Sequence, residues 1–306
     1  MNLVHKLVLG TVQLGLEYGI NNSLGKPSHE QSLHILEYAF EKGIRIFDTA
    51  HAYGNAEEIL GEFLQNHRFD ESIQIITKLQ PNVISESDNT EKVYEIISAN
   101  LKESLARLKR EYVDGYLLHT PEYVRDKNVI DALCKIKESG LVKNIGVSIY
   151  EESDALYAAE LGVIDYIQGP YNIFDQRLEK SGFFELAKKN GKTVFARSAF
   201  LQGLFFMDGE KIPLHLENVK PHLKVFDAII AKYNISRQQA ALLFSLHNKN
   251  IDHVVFGVDT IEQLKNNIDI TGQAIDPRCI EELRKAFVNI EKNIIFPSLW
   301  KKEKIS

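Results

Sequence analysis

Cysteine is almost absent, with only Cys134 and Cys279 among 306 residues. Two thiols so far apart build neither a disulfide framework nor a cysteine-rich metal site, and each reads as a small buried apolar residue in a reducing compartment. Also missing is any run approaching the roughly 18 consecutive apolar residues of a membrane helix. Positive charge is not concentrated either. With 36 Lys and Arg against 42 Asp and Glu, the formal net charge is −6 and the basic residues are spread along the chain, which speaks against nucleic acid or an anionic membrane as a partner. The opening stretch, Met1 to Gly10, has no long apolar core and no small-residue cleavage site, so the expected location is the cytoplasm. A small neutral or anionic molecule is left as the partner class, and no feature speaks to oligomeric state.

What is present is a repeating alternation. Short β-branched and aliphatic runs occur at Leu7 to Gly10, Ile44 to Phe47, Ile73 to Thr77, Val113 to Leu118, Asn144 to Val147, Ile164 to Gln168, Thr193 to Ala196 and His253 to Phe256. Between them lie segments with apolar residues every three or four positions, such as Val93, Ile97, Leu101, Leu105 and Leu108, which is helical spacing. Ser28 with Gln31 predicts a capping box, and Gly43 and Gly140 stand where helices should stop. Eight βα units with no Pro-, Gly- or Ser-rich linker predict one domain over residues 1–306, a (β/α)8 TIM barrel, a fold that commonly uses about 250 residues. Two stretches exceed the repeat. Phe200 to Val225 reads as a long loop after the seventh strand, and Asp276 to Lys292 as an added C-terminal helix. A tail follows, Ile294 to Ser306, whose Phe296 and Trp300 would cover either the barrel flank or the pocket.

Chemistry in this architecture gathers where strands end and βα loops begin. The second run is followed by Asp48 and, a few residues on, Tyr53; the third ends before Lys78 and the fourth before His119. Taken singly, these are a turn acid, a packing tyrosine, a solvated lysine and a loop histidine. Together, at three successive strand ends, they form a proton-handling group: a Lys ammonium favours the phenolate of a Tyr, an Asp holds the Lys, and a His orients an oxygen. None of them can supply hydride, so reduction would require a nicotinamide. His51 is expected either behind the site's own residues or in the pocket wall, not as a proton donor, and metal binding by His51 and His119 lacks a third ligand. The glycines of Gly10-Thr11-Val12-Gln13-Leu14-Gly15 fit neither the dinucleotide fingerprint nor a P-loop; they are expected to let the first loop run close beneath a cofactor.

The segment Gly43-Ile44-Arg45-Ile46-Phe47-Asp48-Thr49-Ala50-His51-Ala52-Tyr53-Gly54-Asn55-Ala56-Glu57 resembles the signature of the aldo-keto reductase family. Leu9-Gly10-Thr11, Thr77-Lys78, Leu118-His119-Thr120-Pro121, Gly146-Val147-Ser148, Gln168 with Tyr171-Asn172, and Gly257 to Asn267 extend the resemblance over nearly the whole chain. It implies a carbonyl reductase dependent on NADP(H) or NAD(H), with Asp48, Tyr53, Lys78 and His119 as its tetrad and Tyr53 as general acid. The implied substrate is an aldehyde or ketone, with sugar-derived carbonyls among the candidates. Cofactor contacts carried over by position are Gly10, Thr11 and Asp48, then Ser148 and Gln168 at the nicotinamide. Arg197 and Ser198 follow the seventh strand, and Gly257, Gln263 and Asn267 form the phosphate and adenine segment. No metal is implied. Departures stand at Ile149, where many relatives have Asn, and at Arg197, where many have a stacking Tyr. Gly257, Gln263 and Asn266 replace the usual Lys, Arg and Glu around a 2′-phosphate, so both cofactors are expected to bind. The alternatives are an aldose or alcohol dehydrogenase running the same site oxidatively, and a nicotinamide-binding regulatory protein with little turnover. A Schiff-base aldolase using Lys78 fits less well, because Asp48 and Tyr53 suit a charged lysine.

Overall fold

The computed structural model describes residues 2–67 and 70–300. Its strands are β1 (Leu7–Gly10), β2 (Ile46–Asp48), β3 (Gln74–Lys78), β4 (Val113–Leu118), β5 (Val142–Ser148), β6 (Tyr166–Pro170), β7 (Thr193–Arg197) and β8 (His253–Phe256). Every pairing is parallel, each strand beside the next, and β8 returns to β1 to close a (β/α)8 barrel. The helices are α1 (His29–Glu41), α2 (Ala56–Asn66), α3 (Thr90–Leu108), α4 (Lys127–Glu138), α5 (Glu152–Glu160), α6 (Phe183–Lys189), α7 (Val219–Lys232), α8 (Arg237–Leu246), α9 (Ile261–Ile270) and α10 (Pro277–Ala286), besides shorter helical turns.

Local signals explain the boundaries. Ser28 caps α1 with the reciprocal Gln31 bond, and Gly43 ends it at φ +95°. Ile44 still donates to the Ala39 carbonyl at 3.0 Å, so pairing starts at Ile46 and not at Ile44. Gly140, at φ +81°, likewise releases α4 into β5. Only glycine adopts such angles without strain.

Two apolar layers follow from the period-two alternation of a strand. Inside the barrel pack Val8, Ile46, Ile76, Leu117, Phe195 and Val255, with Tyr166 against them. Their neighbours Leu9, Phe47, Ile75, Leu118 and Val254 face the helices instead. Two residues beyond the inward set stand Gly10, Asp48, Lys78, His119, Gln168, Arg197 and Gly257, at the C-terminal mouth. One periodicity therefore delivers both the inner core and the polar rim above it.

The expected loop from Phe200 to Val225 is only partly a loop. It contains short turns over Leu201–Phe206 and Leu214–Leu216, and α7 begins at Val219. Helix α7 packs on α10, which Asp276 caps by accepting from the Arg278 amide. Phe226 and Phe287 join Phe174 and Phe205 in the aromatic cluster between these helices and the barrel. The added helix is shorter than Asp276 to Lys292, since it stops at Ala286. In the tail, Ile294, Ile295 and Phe296 are buried, Arg177 stacks on Phe296, and Trp300 donates to the Asn293 carbonyl. Tail residues 301–306 lie outside the described residues. Cys279 is buried, whereas Cys134 is only half-buried, and both are free thiols. Among the described residues, no helix is long and apolar enough to cross a membrane.

Gly15 packs against the Tyr53 turn. A Cβ there would lie 1.8 Å from the Tyr53 carbonyl oxygen, and one on Gly54 would lie 2.5 Å from the Gly15 carbonyl oxygen. The two glycines let the β1 loop press against the turn that presents Tyr53. Gly15→Ala should therefore destabilise the protein by about 1–3 kcal/mol, the usual cost of overpacking, by pushing that turn away. Urea unfolding measures this; an unchanged midpoint would show that the turn yields freely.

Candidate active site

Lys78 closes β3 with its side chain directed up the barrel and only 1% exposed. Its ammonium donates to both Asp48 carboxylate oxygens at 2.8 Å and to the Thr49 carbonyl at 2.9 Å. Gln168, from the far side of the barrel, donates to Asp48 Oδ1 at 2.8 Å. Thr11 supports the same residue from behind, its amide and hydroxyl both donating to the Asp48 carbonyl, at 2.9 and 3.2 Å. Burial lowers the Lys78 pKa, and the Asp48 charge pulls it back.

Tyr53 lies over this pair, with the Lys78 ammonium 5.3 Å from its ring centroid and the His119 ring edge-on at 5.8 Å. Its pKa is raised, first by burial and then by the Asp48 carboxylate, with Arg197 opposing. The expectation that Lys78 lowers it is thus reversed in the free protein. The reason is that burial penalises the phenolate most and the adjacent Asp48 carboxylate adds to that penalty. His119 moves the other way, its pKa pushed down to about 3 by burial, Lys78 and Arg197. At neutral pH it is an uncharged imidazole, and its buried Nδ1 has no hydrogen-bond partner.

These groups stand at the floor of a cleft of about 390 Å³. Gly10, Asp48, Tyr53 and His119 line it, as do Ser148 and Gln168. Arg197 and Ser198 form one wall, and Gly257, Gln263 and Asn267 lie at the other end. Lys78 and Thr11 lie beneath it, fully covered. His51 turns away, its ring near Ser104 and Glu103 of α3, so it is no pocket wall. Among the described residues no cluster of three or more metal-ligating side chains exists. None of the described tail residues lines the cleft, which places Phe296 and Trp300 on the flank.

Several lining residues carry no periodic signal: Gln13, Tyr18, Asn22, Tyr150, Gln202 and Gln238; Asp259, within the Gly257 to Asn267 segment, lines the cleft too. Three hydrogen bonds tie the loops across the cleft. Asn22 Nδ2 donates to Asp259 Oδ1 at 3.1 Å, Gln202 Nε2 donates to the Tyr18 hydroxyl at 2.8 Å, and the Ile20 amide donates to the Gln202 carbonyl at 3.0 Å. Gln13 lays its carboxamide over Gly257, where any Cβ would meet it at 2.1 Å. Asn267 accepts from Gln238 at 2.8 Å, and Gln263 accepts from the Asp259 amide at 2.8 Å. Lys265 points elsewhere, exposed over the Tyr38 ring. The cleft therefore has an acid, Asp259, and no cation at this end. Gln13 Oε1, His119 Nδ1 and Arg197 Nε are buried without partners, and all three belong to lining residues. Unsatisfied buried atoms converging on one cleft are suited to a polar ligand.

Known proteins resemble this chain over most of its length. The oxidoreductase YqkF of Bacillus subtilis (strain 168) is 28% identical over 96% of this chain and 98% of its own length. A D-threo-aldose 1-dehydrogenase from a Pseudomonas species is 28% identical, covering 89% of this chain and 93% of its own. A crystal structure of the thermostable aldo-keto reductase Tm1743 superposes with a TM-score of 0.70 at 24% identity, over 92% of this chain and 94% of that one. The aldo/keto reductase family model matches residues 6–287, and on that span the chain belongs to the aldo/keto reductase family.

Proposed function

We propose that the chain reduces a small aldehyde or ketone with a nicotinamide cofactor, using Tyr53 as proton donor. The observation that carries this reading is the neutral phenol and neutral imidazole held together above a buried Lys78–Asp48 pair, at the floor of a cleft with three unsatisfied polar atoms. A dihydronicotinamide supplies hydride when bound. Ser148 and Gln168 would hold it at the reacting end, and Gln263 and Asn267 at the adenosine end. His119, uncharged, donates a hydrogen bond to the substrate oxygen and aligns it. Tyr53 then gives its proton to that oxygen, a downhill transfer because an alkoxide is a stronger base than a phenolate. Lys78 and Asp48 fix the floor and limit the charge beneath Tyr53. Similarity to an aldose dehydrogenase supports a sugar-derived carbonyl as the substrate class. Asp259 would face a 2′-phosphate with like charge, whereas a ribose hydroxyl can donate to it, so both dinucleotides bind with a tilt toward NAD(H).

Tyr53→Phe should lower turnover by about 100- to 10,000-fold, the usual contribution of general acid catalysis, while dinucleotide affinity stays within a few fold. Retention of more than a tenth of turnover, with chemistry rate-limiting, would take the proton from another group.

The His119 imidazole, with its pKa pushed down to about 3, takes up no proton near neutrality. The pH profile of kcat/KM, which reports the free enzyme's groups, should therefore show no His119-dependent step between about pH 5 and 7. A step in that range that disappears in His119→Gln would contradict the neutral role.

Titrating NADH and NADPH by fluorescence at equal ionic strength should give affinities within about 100-fold, NADH the tighter. A thousandfold preference for NADPH would require a phosphate clamp outside the Gly257 to Asn267 segment.

A further inference from the structure

Arg197 is the only cation lining the cleft without a carboxylate partner among the described residues. Its Nη2 donates to the Ile149 carbonyl at 2.9 Å, its Nη1 to Ser198 Oγ at 3.3 Å, and its guanidinium lies 4.4 Å over the Tyr150 ring. Ser198 adopts the left-handed angle φ +64°, which turns the chain away just after the guanidinium is set in place. The arginine is thus anchored by neutral groups, with Nε buried and unsatisfied.

The charge around it does not cancel. Lys78 and Asp48 neutralise each other, and Tyr53 and His119 are uncharged at neutral pH. Asp175, a further carboxylate that feels Arg197, is committed to Arg177 at 2.8 Å. Glu151 and Glu152 are also taken up by Arg177, and Glu151 by Lys292 as well. Asp259 stands at the opposite end, bound to Asn22. The reacting end of the cleft consequently carries one uncompensated positive charge.

We propose that Arg197 makes this site bind the reduced dinucleotide more tightly than the oxidised one, and so raises the two-electron potential of the bound couple. This rests on the nicotinamide reading above. The two redox forms differ by one positive charge on the nicotinamide ring, which must lie near Tyr53 for hydride and proton to reach the same carbonyl. Over the full reaction the carbonyl carbon would gain a hydride and its oxygen the Tyr53 proton, Tyr53 would be reprotonated by a proton taken up from solution, and a bound nicotinamide would carry one more positive charge. A fixed cation beside that ring opposes only the oxidised form. The Arg197 charge bears on the same groups, acting to lower the pKa of Tyr53, Lys78 and His119. At an effective dielectric of about 20, a unit charge within about 10 Å changes such an equilibrium by about tenfold.

The test is the ratio of the Kd for NAD+ to that for NADH, measured by calorimetry or fluorescence on the wild type and on Arg197→Lys, Arg197→Gln and Arg197→Met. The wild type should favour NADH. The ratio should fall about tenfold in the Gln and Met variants, about 30 mV for a two-electron couple, and stay near wild type in the Lys variant. An unchanged ratio in whichever neutral variant folds, or an equal fall in Arg197→Lys, overturns the electrostatic role. If the wild type binds neither dinucleotide, the oxidoreductase reading itself fails, and this inference with it.

Discussion

A lysine ammonium sealed inside the mouth of a barrel is tolerated only if its charge is answered at once. Lys78 meets that condition through both oxygens of Asp48 and the Thr49 carbonyl, and Asp48 is steadied in turn by Gln168 and Thr11. Strands β1, β2, β3 and β6 all contribute to this one arrangement. Removing one member of such a pair leaves a buried, uncompensated charge, which typically costs about 3–5 kcal/mol. The pair therefore binds the upper barrel together and also determines the field in which Tyr53 and His119 sit.

That field explains why the protonation states differ from what residue types suggest. A lysine beside a tyrosine suggests an acidified phenol, but burial opposes the phenolate and the Asp48 carboxylate adds to that opposition. Burial then raises the phenol's pKa and lowers the imidazole's, so each stays neutral and able to donate a hydrogen. At the reacting end of the cleft Arg197 adds a positive charge that no carboxylate pairs among the described residues.

Most of this was legible because strand periodicity is rigid. Once Val8, Ile46, Ile76, Leu117, Tyr166, Phe195 and Val255 are recognised as the inward set, stepping two residues along each strand gives Gly10, Asp48, Lys78, His119, Gln168, Arg197 and Gly257. Loop residues obey no such rule. Gln13, Asn22, Gln202 and Asp259 reach the cleft through turns whose path depends on contacts between segments far apart in sequence. His51 illustrates the converse: it lies inside the most recognisable motif of the chain, yet its turn directs it toward α3. The extent of the Phe200 to Val225 segment was obscured for a similar reason. Helix α7 gains its stability from packing on α10, which lies about fifty residues further along the chain.

The seam between β1 and β8 gives the molecule a particular history. Val8 pairs beside Val255, and just above that junction Gln13 covers Gly257 while Asn22 meets Asp259, so one end of the cleft is assembled from the two extremities of the barrel. Contacts of such large sequence separation form late, because the intervening chain must surrender its freedom before they reward it. A nascent chain emerging from the ribosome can order its first βα units early, but it has no complete cleft until β8 and α9 have been synthesised and docked. A dinucleotide, bridging both sides of that seam, would act as a clasp on the finished barrel and leave its partly folded precursors unaided.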